Sequence, residues 1–239
     1  MDFIDWEPHY TKILNTFGFS QEKDEQTALW LSNEFNKISG SEKRERNETL
    51  SSLKYKISRQ KIVVCGNAPS LEKEYSLLSK SGDEIYIAAD GAASVLLQNG
   101  RVPEIIVTDL DGKHSGDAMT EIEAADKGAM LLIHAHGDNF DKLEKYLPAL
   151  SDKIKKNAVV PTCQCRPLEN LFNFGGFTDG DRCVFLADAF DAASVILIGF
   201  DFNDFDATPL KKKKLKCAEK LIQILRRKNP GKIKFTEEI

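Results

Sequence analysis

The sequence predicts a three-layer α/β/α fold with a mostly parallel sheet, preceded by a small helical N-terminal segment. Three observations carry this. From Lys61 onward, short apolar runs alternate with helical patterns, as βαβ units around a parallel sheet require. Small, polar and acidic residues follow nearly every apolar run, at the carboxyl strand ends where such sheets bind ligands. Residues 1–58 read instead as helical and polar, with no chemical motif. The chain thus divides into a helical segment, 1–58, and an α/β domain, 59–239, that carries the chemistry.

In the first segment Ser20 is placed to cap a helix running to Ile38, with Glu22, Asp24 and Glu25 favourable against its N-terminal dipole. Ala28, Leu31, Phe35 and Ile38 recur at helical spacing as its buried stripe, and Gly40 stops it. A charged stretch at 41–47 leads to a shorter helical segment. With no motif of its own, this part reads as a helical cap or an interaction surface. Strands are expected at 61–65, 84–88, 104–107, 130–134, 158–161 and 194–199, and crossover helices at 70–79, 93–98 and 140–146. A final helix at 211–228 aligns Leu215, Ala218, Leu221, Ile222 and Leu225 on one face. Its Lys211–Lys214 run reads as a solvated face, with phosphate contact as the other use of such a cluster. There is no internal repeat.

At 239 residues, 41% hydrophobic and 29% charged, the chain is long enough to bury a sizeable core and is not of disordered composition. No apolar run approaches the roughly 20 residues that cross a bilayer. The opening residues lack the basic and apolar regions of a signal peptide, so a cytoplasmic protein is expected. The formal net charge of −4 argues against duplex nucleic acid as a partner, since phosphate binding draws on a basic excess. The five cysteines cannot all pair, and a cytosolic setting keeps thiols reduced. Cys163 and Cys165 have no second Cys or His pair at zinc-ligand spacing.

The strand ends hold the candidate chemistry. After the first comes Gly66-Asn67-Ala68-Pro69-Ser70-Leu71. Gly66 allows a tight turn and Pro69 suits a first helical position, which would leave backbone N–H groups facing the crevice as an anion site. An ordinary strand-to-helix turn is the competing reading, because neither the Walker pattern nor Gly-x-Gly-x-x-Gly is present. After the second comes Ala89-Asp90-Gly91-Ala92, in which Asp90 is either a site carboxylate or a helix cap. After the third, Thr108-Asp109-Leu110-Asp111-Gly112 is the sharpest signal. Two carboxylates two residues apart on extended backbone project to one side, and a cation such as Mg²⁺ relieves their repulsion. A solvated acidic turn is the alternative. After the fourth comes His134-Ala135-His136-Gly137-Asp138-Asn139, whose histidines could ligate a transition metal, bond a phosphate or serve the fold, and whose Asp138 adds a third acid to the rim. Residues 173–182, Asn173 to Arg182, form a glycine-rich polar loop in which Phe174 and Phe177 beside acidic residues could hold a flat heterocycle, with a structural turn and a core-facing Phe as the competing reading. Arg182 there could meet a phosphate or pair with Asp179 or Asp181. These features point to phosphoryl or nucleotidyl transfer, in which a metal offsets charge and the protein positions reactants.

Taken together and in this order, the Gly66–Leu71, Ala89–Ala92, Pro103–Gly112, His134–Asn139 and Phe174–Arg182 motifs closely resemble the archaeal 6-hydroxymethyl-7,8-dihydropterin pyrophosphokinase family. Its catalytic domain is similar to that of thiamine pyrophosphokinase. The match spans roughly residues 61–228. The resemblance implies Mg²⁺-dependent transfer of pyrophosphate from ATP to the pterin's hydroxymethyl oxygen, releasing AMP, within tetrahydropterin or folate-type cofactor synthesis. It implies Asp109, Asp111 and Asp138 as metal-holding and catalytic residues. ATP contacts fall on Gly66, Asn67, Ser70, Asp90 and His136, and acceptor contacts on Phe174, Thr178, Asp179 and Arg182. Cys163-Gln164-Cys165 departs from the small hydroxyl-bearing residues expected in that loop. The implied partners are ATP and a pterin alcohol, without nucleic acid or membrane, and assembly into a homo-oligomer is compatible with the same features. Thiamine pyrophosphokinase-like activity, a nucleotide-sugar glycosyltransferase and a non-catalytic nucleotide-binding module are the alternatives.

Overall fold

The structure is a computed structural model and describes residues 1–40, 42–78, 82–111 and 118–239. Gly112, Ser41 at the start of the charged stretch and Ser79 at the end of the first expected crossover helix lie outside these residues.

Among the described residues seven strands form one sheet: β1 (Lys61–Cys65), β2 (Ile85–Ala89), β3 (Ile105–Thr108), β4 (Met130–Ala135), β5 (Val159–Cys163), β6 (Ser194–Ile198) and β7 (Ile233–Phe235). Their order is β5-β4-β3-β2-β1-β6-β7, and every pairing is parallel. The first six lie within two residues of the expected runs. Central strands such as β3 and β4 are buried throughout, because helices cover both faces and leave no alternation to see. β7 was not expected. It has three residues with exposed Lys234 in the middle, so no apolar run announces it. Pro161 sits in edge strand β5, where a missing ladder donor is tolerated, and its carbonyl accepts the N–H of Phe172 at 3.0 Å, so a short bridge covers that edge.

Ten α-helices accompany the sheet among the described residues: α1 (Phe3–Phe17), α2 (Gln21–Ser39), α3 (Glu42–Ile57), α4 (Leu71–Leu77), α5 (Ala92–Gln98), α6 (Met119–Asp126), α7 (Phe140–Tyr146), α8 (Ser151–Lys155), α9 (Asp179–Ala189) and α10 (Pro209–Lys228). The right-handed crossovers that parallel strands use put the helices between β1 and β5 on one face and α9 and α10 on the other. Consistently, α9 packs on β1, β2, β3 and α10. Ser20 caps α2 by accepting the Lys23 N–H at 3.3 Å, and Gly40 ends it in the left-handed region. Trp6, Tyr10, Leu31 and Leu53 belong to the same buried cluster as the strands, so the N-terminal helices are part of the core. No described helix is long and apolar enough to cross a membrane.

Two expectations are corrected. α4 begins at Leu71, so Pro69 lies in the preceding turn rather than at the first helical position. The stretch read as a loop from Asn173 to Arg182 ends inside a helix, because Thr178 and Asp181 form a capping box that starts α9 at Asp179.

The chain runs from β1 outward through β5, then returns to place β6 on the other side of β1. This is a topological switch point, where parallel sheets open a crevice. Here Gly66 and Gly199 pass backbone against backbone. A Cβ on Gly199 would sit 2.3 Å from the Gly66 carbonyl oxygen, and Gly199 has φ +68. Gly199→Ala is therefore expected to cost about 2–3 kcal/mol, lowering the melting temperature by roughly 5–10 °C. A calorimetric melt unchanged from wild type would contradict this close contact.

Candidate active site

β3 ends at Thr108, and the chain then turns sharply. Leu110 is fully buried and adopts φ +59, a left-handed conformation uncommon for a non-glycine residue. The Asp109-Leu110-Asp111 run is thus a turn and not the extended backbone expected. The Asp111 N–H bonds the Asp109 carboxylate at 3.2 Å across it. β2 delivers the third acid: Asp90, only 5% exposed, accepts the Thr108 hydroxyl at 2.7 Å, while the Leu110 N–H bonds that same hydroxyl at 2.8 Å. One threonine therefore ties the β2 carboxylate to the strained turn. The N-cap residue of α5 is Gly91 and not Asp90.

Asp90, Asp109 and Asp111 each offer an oxygen within 4.8 Å of the others. Burial pushes the Asp90 carboxyl up to about 8. The Thr108 hydroxyl opposes that shift, while the charges of Glu121, Asp109 and Asp111 add to it. Hard oxygen donors crowded this closely fit a divalent cation such as Mg²⁺, whose charge relieves their repulsion. Asp138 is exposed and stands outside this trio, on the rim of the adjoining cleft.

Two clefts open at the carboxyl edge of the sheet, one on each side of the α9 N-terminus, whose Thr178 and Asp179 line both. The first also takes in Asp109, His136, Asp138, Gln164, Phe177 and Arg182. The second, at the switch point, takes in Gly66, Asn67, Asp90, Phe200, Phe202 and Lys211. The trio spans the two, with Asp109 on one cleft and Asp90 on the other.

The remaining expected residues fall into place unevenly. His136 lines the first cleft, whereas Gly66, with which it was expected to act, lines the second. Its Nδ1 accepts the Asp138 N–H at 3.2 Å, which leaves Nε2 to donate toward Asp109 at 3.4 Å. Arg182 pairs with Asp179 at 2.9 Å, settling the choice between Asp179 and Asp181. Asp181 is fully buried, and accepts the N–H groups of Phe177 and Thr178, each at 2.7 Å. Phe174 lines neither cleft, since it stacks on Phe172 and packs edge-on against Phe190. Phe177 provides the aromatic wall instead. Ser70 also lies outside both clefts. The Gly66 and Ala68 N–H groups are spent on Ile198 and Gly199 carbonyls, so this turn joins β1 to β6 rather than offering those donors to an anion.

A family model described as 6-hydroxymethylpterin diphosphokinase MptE-like matches residues 33–206. The chain belongs to the MptE-like family. A relative from Pyrococcus furiosus, 38% identical over 99% of each chain, is called 6-hydroxymethyl-7,8-dihydropterin pyrophosphokinase. So are relatives from Methanocaldococcus jannaschii, 37% identical over 85% of this chain and 81% of its own, and from Methanothermobacter thermautotrophicus, 37% identical over 95% and 97%.

The MptE-like site contains residues that sequence reasoning missed, most of them from outside the expected motifs. Glu121, buried on α6, adds a carboxylate near Asp90. Asn139, 2% exposed, donates to the carbonyls of Asp109 at 2.8 Å and His134 at 2.7 Å, pinning the ends of β3 and β4 together. From the N-terminal segment, Phe19 and Ser20 in the turn before α2 and Lys23 and Asp24 on α2 line the first cleft. Asp24 accepts the Gly137 N–H at 2.7 Å, and a Cβ on Gly137 would sit 2.6 Å from that of Lys23. Glycine there lets α2 close down on the site, so the N-terminal helices of this MptE-like chain form one wall of the cleft.

Proposed function

We propose that this chain is a pyrophosphokinase that transfers the β,γ-pyrophosphoryl group of ATP to the hydroxymethyl oxygen of 6-hydroxymethyl-7,8-dihydropterin, releasing AMP, with Mg²⁺ as cofactor. Family membership and the names of the three relatives support the enzyme class and the pterin. The observation that carries the site assignment is the position of the carboxylate trio, where two clefts meet on either side of one helix terminus. A two-substrate transfer needs that layout, with donor and acceptor on opposite sides of the charge-neutralising centre.

The pterin occupies the first cleft, with Phe177 against its ring and its hydroxymethyl group toward Asp109. ATP occupies the second, at the switch point, with the base by Phe200 and Phe202. Asp90, Asp109 and Asp111 hold the Mg²⁺, which when bound offsets charge on the phosphate oxygens. Asp138 on the rim orients the acceptor hydroxyl. The dipole of α9 points its positive end at the shared wall. Lys211 and Lys214, three residues apart on α10, line the second and first clefts respectively and attract the phosphates from both sides. Lys214 sits over the rings of Phe19 and Phe177, at 5.7 and 5.9 Å. The acceptor hydroxyl oxygen bonds the β-phosphorus and gives up its proton to solvent, while the bond from that phosphorus to the oxygen bridging to the α-phosphorus breaks, and AMP departs with the bridging oxygen. The step belongs to tetrahydropterin or folate-type cofactor synthesis in the cytoplasm.

The test is AMP release from ATP and Mg²⁺ with and without the pterin, beside a thiamine control. AMP that depends on the pterin is the expected result. AMP only with thiamine would overturn the acceptor, and none with either would overturn the reaction.

A further inference from the structure

We propose that Gln164 reads the lactam edge of the acceptor ring, and that Asp24, a residue of the N-terminal helices, fixes which way round its amide is presented. This rests on the assignment of the first cleft to the pterin.

Gln164 is only 4% exposed yet lines that cleft. Its main chain is anchored, the carbonyl accepting the Trp6 indole N–H at 2.9 Å and the Asn173 amide at 3.0 Å. Its side chain is held at both ends. Nε2 donates to the Asp24 carboxylate at 2.8 Å, and Oε1 faces the Arg182 guanidinium at 3.5 Å. Chemistry, not convention, sets that orientation. Asp24 already accepts the Tyr10 hydroxyl at 2.8 Å and the Gly137 N–H at 2.7 Å, acting purely as an acceptor. A guanidinium is purely a donor. Only one way round satisfies both neighbours, and reversing the amide would set oxygen against carboxylate and N–H against guanidinium.

A primary amide has two N–H donors and two acceptor lone pairs. Asp24 and Arg182 take one of each, which leaves one donor and one acceptor on a group lining the cleft. That is the complement of a cyclic amide, with N–H beside C=O, as on the pyrimidine half of a pterin. The Phe177 wall of the same cleft suits a flat ring. Asp24 is thus a positioning residue: it acts through Gln164, and α1, through buried Tyr10 and Trp6, holds the pair in place.

The test uses steady-state kinetics of the full chain with 6-hydroxymethyl-7,8-dihydropterin and with its 4-amino analogue, in which the donor and acceptor of that edge are exchanged. Wild type is expected to prefer the lactam by about a hundredfold in kcat/KM. Gln164→Met keeps the side chain's length and removes the amide. It should raise the KM for the pterin by about tenfold or more, with kcat and the KM for ATP little changed. Asp24→Asn can donate or accept, so it frees Gln164 to turn over and should narrow the preference by about tenfold. A purely structural role would instead lower the melting temperature and shift both KM values together, leaving the preference intact. Equal use of both acceptors by wild type, or an unchanged pterin KM in Gln164→Met, would overturn this inference alone. No pterin-dependent AMP from wild type would overturn the reading beneath it as well.

Discussion

Asp109→Asn is expected to lower turnover by a factor of about 10³ or more while leaving the fold intact. The substitution is nearly isosteric, and the structural duties at this position survive it. The Asp109 carbonyl still receives the Asn139 amide at 2.8 Å, and the new side-chain oxygen still accepts the Asp111 N–H now held at 3.2 Å. What goes is one negative charge out of three carboxylates whose oxygens lie within 4.8 Å. Removing it should weaken the hold on the proposed cation, and it also removes the acceptor toward which His136 points. AMP release at saturating ATP and pterin measures the first consequence. A thermal melt in chelator checks the second claim, and relief of like-charge repulsion should leave the melting temperature equal or higher. Turnover within a fewfold of wild type would remove Asp109 from the cation site. A collapse of the melt would mean that the carboxylate serves the turn at Leu110 and not the chemistry.

That the acids could be found from the sequence, and the walls of the cleft only in part, has a physical reason. Each central strand is a short buried apolar run, and the chain must turn immediately after it. Asp90, Asp109, His136 and Asp138 therefore sit at fixed offsets from patterns visible in the sequence. Phe174 and Phe177 are equally aromatic and three residues apart, and nothing local distinguishes the one that stacks in the interior from the one that faces the cleft. Left-handed Gly175 and Gly176 lie between them and press against Phe185 and Arg182, which a linear reading cannot anticipate. The beginning of α9 was legible in principle, since Thr178 followed three residues later by Asp181 resembles a capping box, but the neighbouring glycines argued for a loop. Asp24 was harder. At its own level it is a first-turn acid on an amphipathic helix, favourable to the dipole and unremarkable. Its partners are 113 and 140 residues away, at Gly137 and Gln164. At the Gly66 turn the reverse holds, because a local pattern suited to anion binding spends its Gly66 and Ala68 N–H groups on joining β1 to β6.

The metal-free protein is expected to lose stability as pH rises from about 4 to about 8, and Mg²⁺ is expected to reverse most of that loss. The cause is Asp90, which burial and the nearby charges of Glu121, Asp109 and Asp111 move from the ordinary 3.8 up to about 8. Between those two values the folded chain holds a proton that the unfolded chain has released. Unfolding thus releases a proton and is favoured by rising pH. The favourable contribution is complete below the unfolded value, declines through the window and is gone above about 8, where the carboxylate is ionised in both states. A cation bound by Asp90, Asp109 and Asp111 acts in the opposite direction, since it prefers the ionised carboxylates and its stabilisation grows with pH. At a hundredfold excess over its Kd it contributes about 2.7 kcal/mol, roughly 5–10 °C for a chain of this size. Melts in chelator and in Mg²⁺, taken in steps from pH 5 to pH 9, measure both slopes. Asp90→Asn keeps an acceptor for Thr108 and removes the charge, so it should flatten the chelator series and shrink the Mg²⁺ gain together. A chelator series already flat in the wild type would show that Asp90 is ionised in the folded protein without a cation. The trio's crowding would then be relieved by the protein itself, and the argument for a metal from this cluster would fail.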